Sequence, residues 1–314
     1  MKEIMKDRKL VDVIIPTYKP DDKFEQLLAM LRRQTYPVHK IIIMNTEQDY
    51  WKKEYEEDER LEVHHLTKAE FDHGKTRGQA VDYSEADIIV FMTDDSVPED
   101  ERLIEQLAAG FELADNVAEV YARQLPTEDC RVIERYTRSF NYPDENQVKT
   151  LKDLDRLGIK TYFASNVCCA YDRKIYKKLG GFITKTIFNE DMIFAAGAIQ
   201  AGYAVVYAAG ARVVHSHNLS GREQFKRNFD LAVSQADHPE IFDGIKSESE
   251  GMRLVKNTAS YLKKSGNGRF IPLLIWQSGC KYLGYRMGKR YKKLPGWVVR
   301  RCTMNGSYWT KAGD

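Results

Sequence analysis

The 314-residue sequence predicts an α/β fold: a mostly parallel central sheet flanked by helices, Rossmann-like, with a basic helical appendage at its C-terminal end. Three observations carry this. Short β-branched runs alternate with amphipathic helical stretches through the first half. One run, Ile88 to Met92, is apolar throughout, as in a central strand buried on both faces, and it leads into Asp94 and Asp95. Finally, the charge reverses along the chain. From Gly251 onward 14 Lys and Arg face the single acid Asp314, a net +13, whereas the first 250 residues hold 34 bases and 45 acids, a net −11.

The elements follow in order. Residues 11–16 read as a strand, and 21–34 as a helix whose Phe24, Leu27, Leu28 and Leu31 recur at helical spacing. Strands follow at 40–45 and, more weakly, 61–65. A helix over 74–86 leads to a strand at 87–93, a helix at 98–113 and a strand at 117–123. The second half predicts a helix at 128–140, a polar loop or short helix over 141–157, a strand pair over 162–172 and a short helix at 173–179 stopped by Gly180 and Gly181. A helix at 190–202 and strands at 203–207 and 211–215 complete the series. The change in composition near 243–251 divides a domain over 1–245 from a basic amphipathic region over 246–314.

Composition excludes several classes. The charged N-terminus lacks a signal-peptide core, and no run approaches the roughly 20 apolar residues of a spanning helix. Five cysteines without Cys-x-x-Cys spacing oppose both a disulfide framework and a zinc site, and suit a reducing cytoplasm. Cys168 and Cys169 read as small core residues. No Gly-rich phosphate loop is present, which argues against hydride transfer and ATP hydrolysis.

Adjacent carboxylates at the C-terminal edge of a buried strand are costly to desolvate unless a cation or donors meet them, and ligands of open α/β sheets gather there. Asp94 and Asp95 therefore read either as part of a divalent-metal site or as a turn opening the next helix. Pro16, Thr17 and Tyr18 close the first strand, where a nucleotide-binding sheet holds base and ribose. Asp72, His73, Gly74, Lys75 and Arg77 open a helix that could hold a diphosphate, or could be a solvated basic helix end. Asn189, Glu190 and Asp191 open another helix, with one carboxylate a candidate general base. His215 and His217, two apart beyond a β-branched run, point to one side and could join Asp95 around Mn²⁺ or Mg²⁺.

In this order the pieces resemble the inverting glycosyltransferases of family 2, which have the GT-A fold. The resemblance rests on Pro16-Thr17-Tyr18, Asp95-x-x-Pro98, Arg173 with Gly180-Gly181-Phe182, Glu190-Asp191, Ala201-Gly202-Tyr203 and His215-Ser216-His217, and spans roughly residues 10–240. Phe71-Asp72-His73-Gly74 with Thr76-Arg77, and the His-Ser-His ending, look like the bacterial rhamnosyltransferases that use dTDP-β-L-rhamnose. The resemblance implies Asp95 as the metal-binding acid, Asp191 as the base, His217 or His215 as a further metal ligand and Arg77 at the donor. It also implies Asn45, Thr93 and Asp94 near the donor, and Glu190 and Asn189 near the acceptor. Two positions depart from the family pattern: Thr93 replaces its first acid, and Asn45-Thr46-Glu47-Gln48 replaces Asp-x-Gly-Ser, which opens the way to a different sugar nucleotide.

The implied partners are a nucleotide-sugar donor and a polyprenyl-diphosphate-linked glycan. Leu273, Trp276, Cys280, Leu283, Met287 and Tyr291, interleaved with bases, predict a helix lying on anionic lipid at the cytoplasmic face of the membrane, or else packing on the protein or in a homo-oligomer. Rival readings are a nucleotidyltransferase, which wants a Gly-rich loop that residues 16–20 lack, and a binding protein on a transferase fold. Nucleic acid is not an expected partner, since no motif for it accompanies the charge.

Overall fold

A computed structural model describes residues 8–245 and 248–310, so the predicted boundary near 243–251 falls partly outside the described residues. The strands are β1 (Val11–Tyr18), β2 (Lys40–Thr46), β3 (Leu61–Leu66), β4 (Ile88–Met92), β5 (Val97–Pro98), β6 (Val117–Leu125), β7 (Gln147–Lys149), β8 (Cys168–Asp172) and β9 (Ala204–Val214). They form one sheet in the order β3-β2-β1-β4-β8-β6-β9-β5, with β7 also on β9. The first four strands are parallel. β8 enters antiparallel between β4 and β6, so the sheet is parallel in its N-terminal half and mixed beyond.

The helices are α1 (Asp22–Arg32), α2 (His73–Val81), α3 (Leu103–Gly110), α4 (Val132–Asn141), α5 (Leu154–Leu157), α6 (Arg173–Lys178) and α7 (Glu190–Gln200). They continue as α8 (Gly221–Asp237), α9 (Pro239–Phe242), α10 (Glu248–Lys264), α11 (Ile271–Gly288), α12 (Gly296–Cys302) and α13 (Gly306–Thr310). Asp21 caps α1 by accepting the Lys23 N–H, and the helix buries Phe24, Leu27, Leu28 and Leu31. Each such side chain contributes about 1.5–3 kcal/mol on leaving water.

Strand residues alternate between two cores. Val13, Ile15, Ile41, Ile43, Val90 and Met92 face α1 and α3. Ile14, Ile42, Ile89 and Phe91 face α2, α7 and the aromatic group Tyr171, Tyr176 and Phe182. Both faces of β4 are thus covered, and its continuous apolar run has this as its cause.

Two predicted strand boundaries differ. Only 168–172 of the expected strand pair is a strand; Gly158–Tyr162 is a 3₁₀ turn. The buried Lys149 ammonium donates to the carbonyls of Lys160 and Phe163, which draws that segment out of the ladder. The two strands expected at 203–215 are one, β9, whose pairing with β6 slips between Ala122 and Arg123.

Of the C-terminal helices, α11 and α12 pack on α8, and α10 packs on α4 and α11. A Cβ at Gly284 would stand 2.2 Å from the Phe225 carbonyl oxygen, and one at Gly288 would stand 2.3 Å from that of Phe229. These glycines bring the α8 backbone against α11 rather than weakening the helix. Among the described residues no helix is long and apolar enough to cross a membrane.

Candidate active site

The site gathers at the C-terminal ends of β1, β2 and β4 and at the exit of β9. β5 pairs antiparallel with β9, Val97 opposite Val214, so the turn after β4 and the segment after β9 meet. Asp95 lies 3.4 Å from Nε2 of His215 through one carboxylate oxygen and 3.4 Å from Nε2 of His217 through the other. One ligand atom from each of the three residues falls within 4.8 Å of the others. Burial holds His215 at about 3 against the pull of Asp95, and likewise lowers His217, so both imidazoles are neutral and offer lone pairs. Nδ1 of His215 is buried without a partner. Two neutral nitrogens around a carboxylate make a donor set that fits a divalent cation.

The donor side is built from strand ends. Thr17 Oγ1 donates to Asn45 Oδ1 at 2.9 Å, and the Asn45 amide meets His65 Nδ1 at 3.0 Å. Pro16 precedes them in β1. The Tyr18 ring is exposed, stands edge-on to Tyr50 at 6.1 Å, and shares Lys19 with it. The Tyr18 N–H donates to Asp94 Oδ2 at 3.2 Å. Burial, with Asp95 adding to it against that hydrogen bond, raises Asp94 to about 6. The Thr93 hydroxyl is buried without a partner.

The start of α2 departs from the expected diphosphate cradle. The Asp72 carboxylate already takes the N–H groups of Gly74 and Lys75, at 3.1 and 2.9 Å. Gly74 lies under the Ile183 carbonyl, 2.0 Å from where a Cβ would sit. His73 is kept neutral by burial. Arg77 turns inward: it donates to the His73 carbonyl and lies 3.3 Å from Oε1 of Glu190.

Glu190 and Asn189, expected at the acceptor, are likewise turned inward. Asn189 is buried in left-handed backbone (φ 67°) and donates to the Leu231 carbonyl. Glu190 is buried, and although burial pushes its pKa up, the Arg77 charge with the hydrogen bonds from the backbone and from Asn166 outweigh that and hold it below its ordinary value. Asn166, which the sequence reading missed, links the pair. Its N–H donates to Asp191 Oδ2 at 3.0 Å and its side-chain amide to Glu190 at 3.3 Å, while the Tyr171 hydroxyl fixes that amide at 2.9 Å. Burial and the neighbouring Glu190 charge raise Asp191 to about 7. A carboxylate so placed suits proton acceptance near neutral pH. Arg227 of α8 was also missed: it stacks on Phe188 at 5.0 Å, and its charge is felt by Asp191 and both imidazoles.

The model of glycosyl transferase family 2 matches residues 12–180. The O-antigen chain rhamnosyltransferase RfbN of Salmonella typhimurium is 38% identical over 305 residues, 95% of this chain and 96% of that protein. The chain belongs to glycosyl transferase family 2. A second relative of this family-2 chain, the O-antigen chain rhamnosyltransferase WbaN of Salmonella anatum, is 36% identical over 303 residues, 95% of each protein. The mannosyltransferase PcManGT from Pyrobaculum calidifontis, solved with GDP-Man and Mn²⁺, superposes with a TM-score of 0.61 at 15% identity, covering 92% of this chain and 89% of that one. S. aureus TarS 1-349 does so with 0.51 at 15% identity, over 90% and 91%. These likenesses establish the GT-A fold of the family-2 enzyme.

Proposed function

We propose that this family-2 enzyme is an inverting rhamnosyltransferase of O-antigen assembly, moving L-rhamnose from dTDP-β-L-rhamnose to a polyprenyl-diphosphate-linked glycan. The observation that carries the reading is the approach of Asp95 to His215 and His217, with Arg227 within electrostatic reach of both imidazoles and of Asp191. The names of two relatives that align over nearly the whole chain support the sugar and the pathway.

In this reading Thr17, Tyr18 and Asn45 face the nucleoside, and Asp95, His215 and His217 hold Mn²⁺ or Mg²⁺. When bound, the cation supplies positive charge against the leaving nucleoside diphosphate. Asp191 takes the proton of the acceptor hydroxyl as that oxygen attacks the anomeric carbon from the face opposite the diphosphate. The Asn166 N–H holds Oδ2 of Asp191 and the Met192 N–H holds Oδ1, which fixes the carboxylate while each oxygen keeps a lone pair for the acceptor proton. Glu190, kept ionised by Arg77, raises the base's pKa by its charge. A base of this kind contributes on the order of 10²- to 10⁴-fold. Residues 246–314 we read as the part that rests on the cytoplasmic face of the membrane: α11 exposes Ile275, Trp276, Tyr282 and Leu283 beside Arg286 and Arg290.

The test is transfer itself. Purified chain with Mn²⁺, lipid-linked acceptor and separate dTDP-rhamnose, UDP- and GDP-sugars should form product only from dTDP-rhamnose, and Asp191→Asn should abolish it. Product from another donor alone would move the sugar assignment. Undiminished turnover by Asp191→Asn would remove the base.

A further inference from the structure

Two cations of the cleft have no part in the mechanism above. Behind His217 a cavity of about 340 Å³ opens between α4, the segment after β9, and α11. Its walls include His217 and Glu134 together with Gln224, Gln277, Lys281 and Leu273. Glu134 is spent: its carboxylate binds Arg138 at 2.8 Å. Among the described residues neither Lys281 nor Arg227 has a carboxylate within 4.0 Å; Arg227 stacks on the Phe188 ring and feels the more distant charges of Asp191 and Glu134. Burial lowers the pKa of Lys281, and the nearby Arg227 lowers it further against the opposing pull of Glu134. A buried cation on the cavity wall with no carboxylate bonded to it, and a second positive charge nearby, favours an anion there.

We propose that this cavity seats the diphosphate of the lipid-linked acceptor, gripped by Lys281 on its wall with the Arg227 charge nearby, and with the hydrocarbon leaving past Leu273 along the exposed face of α11. The proposal rests on the transferase reading and adds to it a second diphosphate site. His217 separates the two: the Asp95 side serves the donor, the Lys281 side the acceptor. Leu273 both lines the cavity and reaches the surface, where Trp276 and Leu283, on the same side of α11, continue it, exposed by 65% and 57%. A branched hydrocarbon has an apolar path there, beside Phe270 and Leu273. Charge-assisted hydrogen bonds of this kind are the strong ones.

The experiment uses the full chain with Lys281→Met, which keeps the length of the side chain, and Lys281→Arg, which keeps its charge. KM values for donor and acceptor are measured separately, with farnesyl diphosphate, a lipid diphosphate lacking sugar, as competitor. Lys281→Met should raise the acceptor KM by about 10-fold or more and leave the donor KM within about two-fold, and Lys281→Arg should restore the acceptor value. Farnesyl diphosphate should compete with acceptor, and lose potency against Lys281→Met. A rise in donor KM instead, or competition with donor alone, would assign these cations to the nucleotide and overturn the proposal. An unchanged acceptor KM overturns it as well. Should Lys281→Met fail to fold, Leu273→Glu at the surface lip serves in its place, with the same rise expected. Absence of transfer from every donor defeats the transferase reading; transfer with an unaltered acceptor KM defeats only this inference.

Discussion

The backbone N–H of Asn166 donates to Asp191 Oδ2 at 3.0 Å, so the loop before β8 aims the carboxylate that α7 supplies. The same residue's side chain holds Glu190, and both bonds favour the ionised form; the two neighbouring acids part because burial and the Glu190 charge raise Asp191 whereas Arg77 outweighs burial at Glu190.

That division sets a pH dependence. Asp191 acts as a base only when ionised, and it is raised to about 7, so kcat should climb as pH rises through 7 and fall below it. In Glu190→Gln the neighbouring charge is gone and the acid limb should move to lower pH. A pH–rate profile at saturating substrates measures both. An acid limb that stays in place in Glu190→Gln would refute the coupling.

His217→Ala should weaken the response to Mn²⁺. Even residues that merely support metal ligands are worth about 10- to 100-fold in metal affinity, and a ligand should cost no less. Calorimetric titration of Mn²⁺ into the chain with nucleoside diphosphate gives the number. Equal affinity in the variant would exclude His217 from the cation.

Gly284→Val should destabilise the fold by about 1–3 kcal/mol, since its Cβ would strike the Phe225 carbonyl and force α11 from α8. Thermal melting reports this. Gly279, which meets nothing within 4 Å, should tolerate the same change far better.

Glu119 is wholly buried, neither carboxyl oxygen has a partner, and burial raises it to about 8 against the pull of Lys149. Its folded-state pKa lies above its ordinary 4.5, so the native state holds a proton that the unfolded chain releases. The stabilisation is complete below 4.5 and is lost as pH rises towards 8, with a slope of at most about 1.4 kcal/mol per pH unit. Glu119→Gln should flatten denaturant-derived stability between pH 5 and 8 (roughly the window in which the two states differ). A slope identical to the parent's would show the carboxyl to be ionised in the fold.

Local signals made much of this legible. The apolar run of β4 and the spacing of Phe24, Leu27, Leu28 and Leu31 gave their elements because burial alone decides such patterns. Asp95 with His215 and His217 was readable because both ends of the site lie just past strands. Glu190 and Arg77 were placed on ligands, whereas they hold each other, since a carboxylate and a guanidinium at helix starts look alike whether they face solvent or core. Asn166 carries no periodicity, and Tyr171 reads as one more apolar strand residue; their value comes from a tertiary hydrogen bond. Gly284 and Gly288 look like helix breakers until the neighbouring backbone is known.

The antiparallel pairing of β5 with β9 has a bearing on biosynthesis. Asp95 emerges from the ribosome early, but its imidazole neighbours follow more than a hundred residues later. In our assignment a nascent polypeptide halted before Val214 would own the nucleoside wall and lack the means to discharge a sugar. Activity would wait at least until the returning strand docks.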